Sequence, residues 1–411
     1  MILSPKLNRH RHLSALSVLI FQLWEEVSNA KMVIQLMQKH SMSLIRSSLK
    51  VVALNGIRCL SSSTDEVIFQ TKNKIGIVTL NRPKALNALN LSMIRKIHPL
   101  LKEWENEMSM VIIKGSGDKA FCAGGDVRAV TEAGKKGESL TKDFFREEYM
   151  LNSLIGTYHI PYVAFIHGIT MGGGVGLSVH GQYRVATEKT LFAMPETAIG
   201  LFPDVGGSYF LPRMGGKLGL YLALTGHRLK GIDVLRAGVA THYVDSSRLQ
   251  DLEKDLVQSK NPESEVPQIL RKYTNEHDKG QPFSLQPHVE KINKYFSATS
   301  VEGIFQALEK DSSEWSQQTL KTLQKMSPTS MKVTLKQLEE GSTKNLQECL
   351  AMEYRLTQRF CADHDFYEGV RAVLVDKDNS PKWKPNKLED VSSSKVSSFF
   401  ENLPEKEELM L

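Results

Sequence analysis

The stretch YVAFIHGITMGGGVGL, from Tyr162 to Leu177, decides how the chain is organised. Its first part is a short apolar run that stops at a glycine, which is typical of a buried β-strand. A glycine-rich loop follows, and then a helical pattern from Gly174 to His180. Glycines let the backbone turn tightly here, and the first N–H groups of the helix have no partners within it. The segment therefore predicts a site for a negatively charged oxygen, such as an oxyanion or a phosphate.

A second junction of the same design lies upstream, where the run MVIIKGSG (Met110–Gly117) leads into DKAFCAGGD. Two further strand patterns are KIGIVTLNRP (Lys74–Pro83) and YRVAT (Tyr183–Thr187). Helical patterns lie between the strands, over Leu91–Glu105 and Lys142–Ile155. Strands that alternate with helices predict an α/β fold.

The glycine loops do not match the common phosphate or nucleophile motifs. A G-x-G-x-x-G motif would need glycine at Leu177, and a Walker A lysine is missing from the sequence. A G-x-S-x-G elbow would need glycine at His180, so Ser178 is a poor nucleophile candidate. These mismatches argue against a Rossmann dehydrogenase, a nucleotidase and an α/β-hydrolase thioesterase.

Composition sets limits on partners. The 411 residues are 41% apolar and 24% charged, which is ordinary for a soluble globular protein. Of 52 Lys/Arg and 46 Asp/Glu residues, residues 1–60 hold eight and two, which leaves 44 of each in the rest. A body without basic excess predicts no nucleic-acid partner. The longest apolar run, Leu13–Trp24, is too short to span a bilayer.

Residues 1–63 are expected to be a targeting or unstructured segment, not part of the fold. From Met42 to Ser63 the chain has three basic residues, many Ser and Leu and no acid, which is typical of a mitochondrial (matrix) transit peptide. A secretory signal built on Leu13–Trp24 and an unstructured tail without an address are the alternatives. Four cysteines without a C-x-x-C pair fit a reducing interior and signal neither zinc nor a disulfide framework.

Four stretches taken together resemble the crotonase (enoyl-CoA hydratase/isomerase) superfamily: LNRPKALNAL (Leu80–Leu89), AFCAGGDV (Ala120–Val127), HGITMGGGVGL (His167–Leu177) and MPETAIGLFPDVGG (Met194–Gly207). The resemblance implies a spiral of repeated ββα units in residues 64–250, which would carry the active site. It also implies an acyl-CoA substrate, and it leaves a homo-oligomer open. An enoyl-CoA hydratase or isomerase, and a non-catalytic acyl-CoA-binding or RNA-binding relative, are alternative interpretations on this fold.

The C-terminal half is similar to the 3-hydroxyisobutyryl-CoA hydrolases of that superfamily, over SPTSMKVTLKQL (Ser327–Leu338), MEYRL (Met352–Leu356) and HDFYEGVRAVLVDKDNSPKWKP (His364–Pro385). The similarity implies hydrolysis of 3-hydroxyisobutyryl-CoA to 3-hydroxyisobutyrate and free CoA, a step of valine breakdown, with 3-hydroxypropionyl-CoA as a further substrate. It implies no metal or redox cofactor, because CoA is part of the substrate. Residues 251–411 would form a helical region that covers the acyl-CoA.

The resemblance also assigns site residues. The backbone N–H groups of Gly125 and Gly173 would hold the thioester oxygen, as two converging donors can. A hydratase has two glutamates, but Gly176 stands at the first position and only the second survives, as Glu196. Asp204 stands where a hydratase tends to have glycine. Glu196 would act as nucleophile or general base, and Asp204 would bind the 3-hydroxyl or assist proton transfer.

Both acids also have structural readings, a helix cap for Glu196 and an Asx-turn for Asp204. An apolar lining from Leu201, Phe202 and Phe210 would raise the pKa of the carboxyls. The resemblance places Glu148 at the substrate, whereas an exposed Glu paired with Arg146 or Lys142 is the alternative.

Three further positions are judged from residue type. We expect His167 to have a structural role. We expect Cys122 to pack in the core, because the sequence shows no residue that would act as its base. For the segment Lys382–Lys384, contact with the CoA phosphates and a solvated turn are equally favoured.

Overall fold

A computed structural model describes residues 57–59, 62, 64–274 and 280–411. The chain divides into a unit that ends at Arg58 and a second unit, Cys59–Leu411, which is the one described below. Almost all of the predicted targeting segment, residues 1–63, lies outside the described residues. The boundaries predicted at residues 63 and 250 stay predictions.

The described strands, numbered along the chain, are β1 Ile57–Cys59, β2 Val67–Lys72, β3 Ile75–Leu80, β4 Met110–Gly115, β5 Ala120–Cys122, β6 Tyr162–Ile166, β7 Ile169–Met171, β8 Tyr183–Ala186, β9 Leu191–Ala193, β10 Leu229–Lys230 and β11 His242–Tyr243. The described α-helices before the gap at residues 275–279 are Leu91–Glu107, Val127–Lys135, Leu140–Gly156, Gly173–Gly176, Gly207–Phe210, Leu218–Thr225, Ile232–Arg236, Leu249–Val257 and Pro262–Tyr273. Those after the gap are Val289–Tyr295, Val301–Glu309, Glu314–Leu323, Pro328–Gly341, Leu346–Phe360, His364–Val370 and Ser393–Phe400.

The strands form two sheets. Within the second unit the larger sheet has the order β2-β3-β4-β6-β8-β11, and the smaller one has the order β10-β9-β7-β5. β2 and β3 are antiparallel, joined at Asn73 and Lys74, which both have positive φ, as two-residue hairpin turns require. From β3 to β11 the neighbours in the larger sheet are parallel, and β5, β7 and β9 are parallel to one another in the smaller sheet.

The chain alternates between the two sheets. β4 is followed by β5, β6 by β7, and β8 by β9, and each pair leads into a helix: Val127–Lys135, Gly173–Gly176, or the 3-10 helix Glu196–Ile199. This is the predicted succession of ββα units, and the α/β class is confirmed. Because β5, β7 and β9 are parallel neighbours, the loops that follow them lie side by side at one edge of the smaller sheet.

The core fills the space between the sheets and the helices around them. The long helix Leu140–Gly156 buries the rings of Phe144, Phe145 and Tyr149, and the neighbouring helix Leu91–Glu107 buries Trp104. The first of these helices contacts both Leu91–Glu107 and the C-terminal helix Leu346–Phe360. It is therefore fixed on two sides, which makes it a rigid support for side chains that point into the site.

One expectation about local structure was wrong, and several short strands were not predicted. The helix after the triple glycine covers Gly173–Gly176 only, not Gly174–His180. It ends early because the chain tightens into turns, in which the Ser178 N–H and hydroxyl both bond to the Val175 carbonyl. The strands β5, β7, β9 and β10 were not predicted, because runs of two or three residues are too short to show a periodicity.

Candidate active site

The site is built where β5, β7 and β9 end. β5 ends at Cys122 and leads to Gly124 and Gly125, β7 ends at Met171 and leads to the glycines, and β9 ends at Ala193 and leads to Glu196. The register pairs Met171 with Ala193, so the second glycine loop and Glu196 start from adjacent positions. The two loops and the acid that the sequence singled out are thus brought together by parallel pairing.

The two predicted oxyanion donors are close to each other. A Cβ atom built on Gly173 would lie 3.3 Å from the Gly125 backbone nitrogen. Neither the Gly125 N–H nor the Gly173 N–H donates a hydrogen bond to any described residue. Unpaired backbone donors are rare inside proteins, so a pair of them side by side indicates a position kept for an acceptor.

Two acids lie close to the glycine turn, which has room for them because its residues carry no side chains. A Cβ on Gly172 would lie 3.1 Å from Glu196 Oε1, and a Cβ on Gly173 would lie 2.5 Å from Glu148 Oε1. Any side chain at these positions would fill the space between the N–H donors and the acids. Gly172 also has φ +45°, which a residue with a side chain adopts only at a cost.

Glu148 lies on the buried face of the helix Leu140–Gly156 and is only 1% exposed. Its Oε1 has no hydrogen-bond partner among the described residues. The alternative of an exposed, paired glutamate was therefore wrong: Arg146 and Lys142 point the other way and contact Glu407 near the C-terminus. Helical spacing explains the difference, since Glu148 shares the inward face with Phe144 and Phe145.

Asp204 lies in the loop before the short helix Gly207–Phe210 and is 5% exposed. Its Oδ2 accepts a hydrogen bond of 2.8 Å from the Tyr149 hydroxyl. The Asx-turn reading was wrong, because the Gly206 N–H donates to Glu353 instead, at 2.7 Å. The carboxyl of Asp204 is thus available to the site.

The buried acids influence one another. Burial raises the pKa of Glu148 and of Glu196 well above the ordinary value, and the charge of Asp204 raises both further. Burial also raises the pKa of Asp204 to about 7, against the Tyr149 hydrogen bond, which lowers it. Like charges in a low-dielectric site resist ionisation, so the protonated form of all three carboxyls is favoured relative to exposed acids, and the pKa of Asp204 lies near neutral pH.

The structure gives a reason why Gly176 carries no acid. A Cβ there would lie 2.7 Å from both Asn152 Nδ2 and Val205 Cβ. Asn152 is fully buried one helical turn after Glu148, and its amide takes the space into which a side chain at position 176 would extend. The first of the two hydratase glutamates therefore has no room in this chain.

Glu353 is a residue of the site region that the sequence reasoning missed. It lies on the buried face of the helix Leu346–Phe360 and accepts hydrogen bonds from the Gly206 N–H, the Ser208 N–H and the Ser208 hydroxyl. Burial raises its pKa to about 8, although these bonds lower it. A single acid on the otherwise apolar face of an amphipathic helix was the available signal.

The remaining predicted positions have visible partners. His167 Nδ1 lies 2.9 Å from Thr187 Oγ1 and its Nε2 lies 2.7 Å from Asp118 Oδ1, which supports a structural role. Burial raises the pKa of Cys122 to about 12, so its thiol packs in the core as a neutral group, as expected. In the C-terminal segment, Trp383 is buried and donates its ring N–H to the Lys325 carbonyl, while Lys382 and Lys384 are exposed. Their contact with CoA stays a prediction.

The described residues show neither a group of metal ligands nor a membrane-spanning helix. Within residues 57–274 and 280–411, so far as they are described, no three His, Cys, Asp or Glu side chains are grouped to hold a metal ion. In the same described part, none of the helices has both the length and the apolar character that crossing a membrane requires.

Comparison with known proteins identifies the family of this chain. The family model "Enoyl-CoA hydratase/isomerase" matches residues 75–400. The mitochondrial 3-hydroxyisobutyryl-CoA hydrolase of Danio rerio is 59% identical over 368 residues, which cover 88% of this chain and 96% of the relative. The protein of the same name from Xenopus laevis is 62% identical over 333 residues, which cover 80% of this chain and 86% of the relative.

Among solved structures, a carnitinyl-CoA dehydratase from Mycobacterium thermoresistibile is 34% identical, with a TM-score of 0.78, over 84% of this chain and 99% of its own. Its name describes a dehydration, so the fold alone does not select the reaction. The family match and the identity to these relatives over most of their length establish the membership. The chain belongs to the enoyl-CoA hydratase/isomerase family.

Proposed function

We propose that this chain hydrolyses the thioester of 3-hydroxyisobutyryl-CoA in mitochondria, giving 3-hydroxyisobutyrate and free CoA. The observation that carries the proposal is the pairing of two free N–H donors, Gly125 and Gly173, with one buried carboxyl, Glu196, and no acid at Gly176. The names and mitochondrial location of the relatives support the substrate and the compartment.

The thioester oxygen binds between the Gly125 and Gly173 N–H groups. When the carbonyl carbon becomes tetrahedral, its oxygen becomes negative, and two donors fixed in place stabilise that charge more than they stabilise the neutral carbonyl. Each such donor is worth roughly 10²–10³-fold in rate in well-studied acyl-transfer enzymes. The donors need no reorganisation, because they have no other partner in the free enzyme.

Glu196 supplies the attack. Its carboxylate either adds to the thioester carbon, giving a mixed anhydride that water cleaves, or removes a proton from a water that adds directly. In both routes the C–S bond breaks, a C–O bond forms with an oxygen that comes from water, and CoA leaves as a thiolate. A thiol with an ordinary pKa of about 8.5 leaves without strong acid assistance. The Oε2 atom of Glu196, which has no partner among the described residues, is free for this task.

Asp204 and Glu148 recognise the rest of the acyl group. The Tyr149 hydroxyl fixes one oxygen of Asp204, and the other oxygen accepts the substrate 3-hydroxyl. Glu148, adjacent to Gly173, closes the opposite side of the bound thioester. Burial raises the pKa of Glu148 well above its ordinary value, which favours the protonated form, and a protonated carboxyl can donate a hydrogen bond to a substrate oxygen.

The reaction as written requires no metal or redox group, because the donors and carboxyls carry every step. The 3-hydroxypropionyl thioester differs by one methyl group, worth only about 1–3 kcal/mol of discrimination, so it is a second substrate. We further propose that the chain forms a homo-oligomer, as an expectation from the superfamily it belongs to.

A panel of short acyl-CoA substrates tests the proposal. Release of CoA is followed with a thiol reagent for 3-hydroxyisobutyryl-CoA, 3-hydroxypropionyl-CoA and isobutyryl-CoA, which lacks the hydroxyl. Loss of the conjugated double bond of crotonyl-CoA is followed in parallel by absorbance. Rapid thiol release from the hydroxylated substrates supports the hydrolase. Consumption of crotonyl-CoA without thiol release would show a hydratase instead, and binding without turnover would show a non-catalytic relative.

A further inference from the structure

The loop that carries Asp204 has a backbone conformation that its sequence does not favour. Val205, the next residue, has φ +52°, in the left-handed region that residues other than glycine rarely adopt. A β-branched side chain is especially unfavourable there. Such strain persists only where the surrounding structure holds it, and it is concentrated at functional sites.

Three side chains, of His180, Gln337 and Glu353, hold this loop. His180 Nε2 lies 2.7 Å from the Val205 carbonyl, and because a carbonyl only accepts, the ring nitrogen is the donor. Burial lowers the pKa of His180 to about 4, so the ring is neutral and this nitrogen carries its single proton. The Gln337 amide donates to the Pro203 carbonyl at 2.7 Å, on the other side of Asp204.

Glu353 makes the largest share of these contacts. Its Oε2 accepts from the Gly206 N–H at 2.7 Å, and its Oε1 accepts from the Ser208 N–H at 2.8 Å and from the Ser208 hydroxyl at 2.5 Å. These bonds link the helix Leu346–Phe360 to Gly206 and Ser208, which lie one and three residues after the strained Val205. The carboxyl group is fully buried and has no basic partner among the described residues.

We propose that Glu353 is a positioning residue for the hydrolysis: by binding the Gly206 and Ser208 N–H groups it keeps Val205 left-handed and so aims the Asp204 carboxyl at the substrate. The inference rests on the function proposed above. Glu353 touches the loop and not the reacting atoms. A buried carboxyl group is a costly way to satisfy two N–H groups unless their exact placement matters.

The mechanism predicts a coupling between Glu353 and Val205. In Glu353→Gln the amide keeps one acceptor oxygen and adds a donor that faces N–H groups, so the loop relaxes and Asp204 turns away. In Val205→Gly the left-handed conformation no longer costs energy, so the loop keeps its shape without the carboxylate. Removing the strain should therefore compensate for removing the residue that holds it.

The test is a double-mutant cycle on kcat and KM with 3-hydroxyisobutyryl-CoA, or with whichever short acyl-CoA the wild type hydrolyses fastest. We expect Glu353→Gln to lower kcat at least tenfold with KM within about threefold, and Val205→Gly to recover at least fivefold of that loss. Glu348→Gln, on the same helix, is the matched control, because glutamine also serves in the capping box that Glu348 forms with Asn345. It should keep wild-type kcat.

Hydrogen exchange of the wild type and Glu353→Gln, measured over residues 203–210, reports on the loop without any substrate. Faster exchange confined to this segment is expected. Wild-type kcat in a folded Glu353→Gln variant would overturn the inference. It would also be overturned if Val205→Gly changed kcat by the same factor in the wild type and in Glu353→Gln. If Glu353→Gln does not fold, Ser208→Ala removes the bond from the Ser208 hydroxyl to Glu353, and a several-fold lower kcat with unchanged KM is then required. Failure of the wild type to release thiol would instead refute the proposed function, and the exchange result would still decide the role of Glu353.

Discussion

The Tyr149 hydroxyl donates a hydrogen bond of 2.8 Å to Asp204 Oδ2, and both residues are buried. This bond joins the helix Leu140–Gly156 to the loop that carries the acid. It stabilises the charged form of a carboxyl whose pKa burial raises to about 7. A neutral hydroxyl thus keeps this acid available as a carboxylate in a site that otherwise disfavours charge.

Tyr149→Phe should shift the pH dependence of activity. Losing the hydroxyl makes the cluster of Asp204, Glu196 and Glu148 harder to ionise, so the acid limb of kcat/KM moves to higher pH, by roughly 0.5–1 unit for one hydrogen bond. The limb is measured from pH 5 to 9. Tyr158→Phe, which loses a hydrogen bond to the Leu101 carbonyl outside the site, should leave it in place. If the acid limb of kcat/KM is unchanged in Tyr149→Phe, the ionisation of Asp204 does not control activity.

Glu148→Gln should make the protein more stable and less active. The raised pKa of Glu148 means that its charge opposes folding at pH values above the ordinary carboxyl pKa. That opposition disappears as the pH falls and the group is protonated in both the folded and the unfolded state. At pH 8 we expect a gain of about 1–3 kcal/mol in the free energy of unfolding, which shrinks towards zero near pH 4.5.

Urea unfolding at both pH values measures this difference. Glu147→Gln, the neighbouring residue that pairs with Arg95 in a partly exposed contact, is the control and should change stability by less than about 1 kcal/mol at either pH. Equal stability of Glu148→Gln and the wild type at pH 8 would contradict a costly buried charge.

The sequence predicted the site better than the framework around it. Gly125, Gly173, Glu196 and Asp204 could be proposed as site residues because glycine loops and acids in apolar segments leave a chemical pattern in the sequence. The strands that place them, such as Ile169–Met171, are too short to show one. Parallel pairing between strands distant in the chain brings the loops together, and no local pattern encodes that pairing.

Burial of Glu148 and the role of Glu353 could not be predicted for a related reason. Whether an acid on an amphipathic helix faces water or the core depends on which helix packs against it. In the structure the helices Leu140–Gly156 and Leu346–Phe360 pack together, so both acids face inward. Tertiary packing decided the environment of these side chains.

Gly176→Ala should damage the site by crowding alone. The new methyl group would lie 2.7 Å from Val205 Cβ and from Asn152 Nδ2, both held in the core. Overpacking of this kind costs about 1–3 kcal/mol, and the displaced Val205 would carry Asp204 with it. We expect lower thermal stability together with at least a tenfold lower kcat.

Gly215→Ala is the matched control, since a Cβ there meets no atom within 4 Å. It should retain the stability and activity of the wild type. If Gly176→Ala behaves like Gly215→Ala, the space at position 176 is open, and the explanation given for the missing acid is wrong.

The central claim is that Glu196 performs the attack on a thioester held by the Gly125 and Gly173 N–H groups. Its most direct test is the rate of CoA release from 3-hydroxyisobutyryl-CoA by the wild type and by Glu196→Gln, with binding of the substrate measured by calorimetry on the variant. The account predicts a fall in kcat of at least 10³-fold while binding is retained, because the amide is neither a nucleophile nor a base. Release of CoA by Glu196→Gln at the wild-type rate would contradict it.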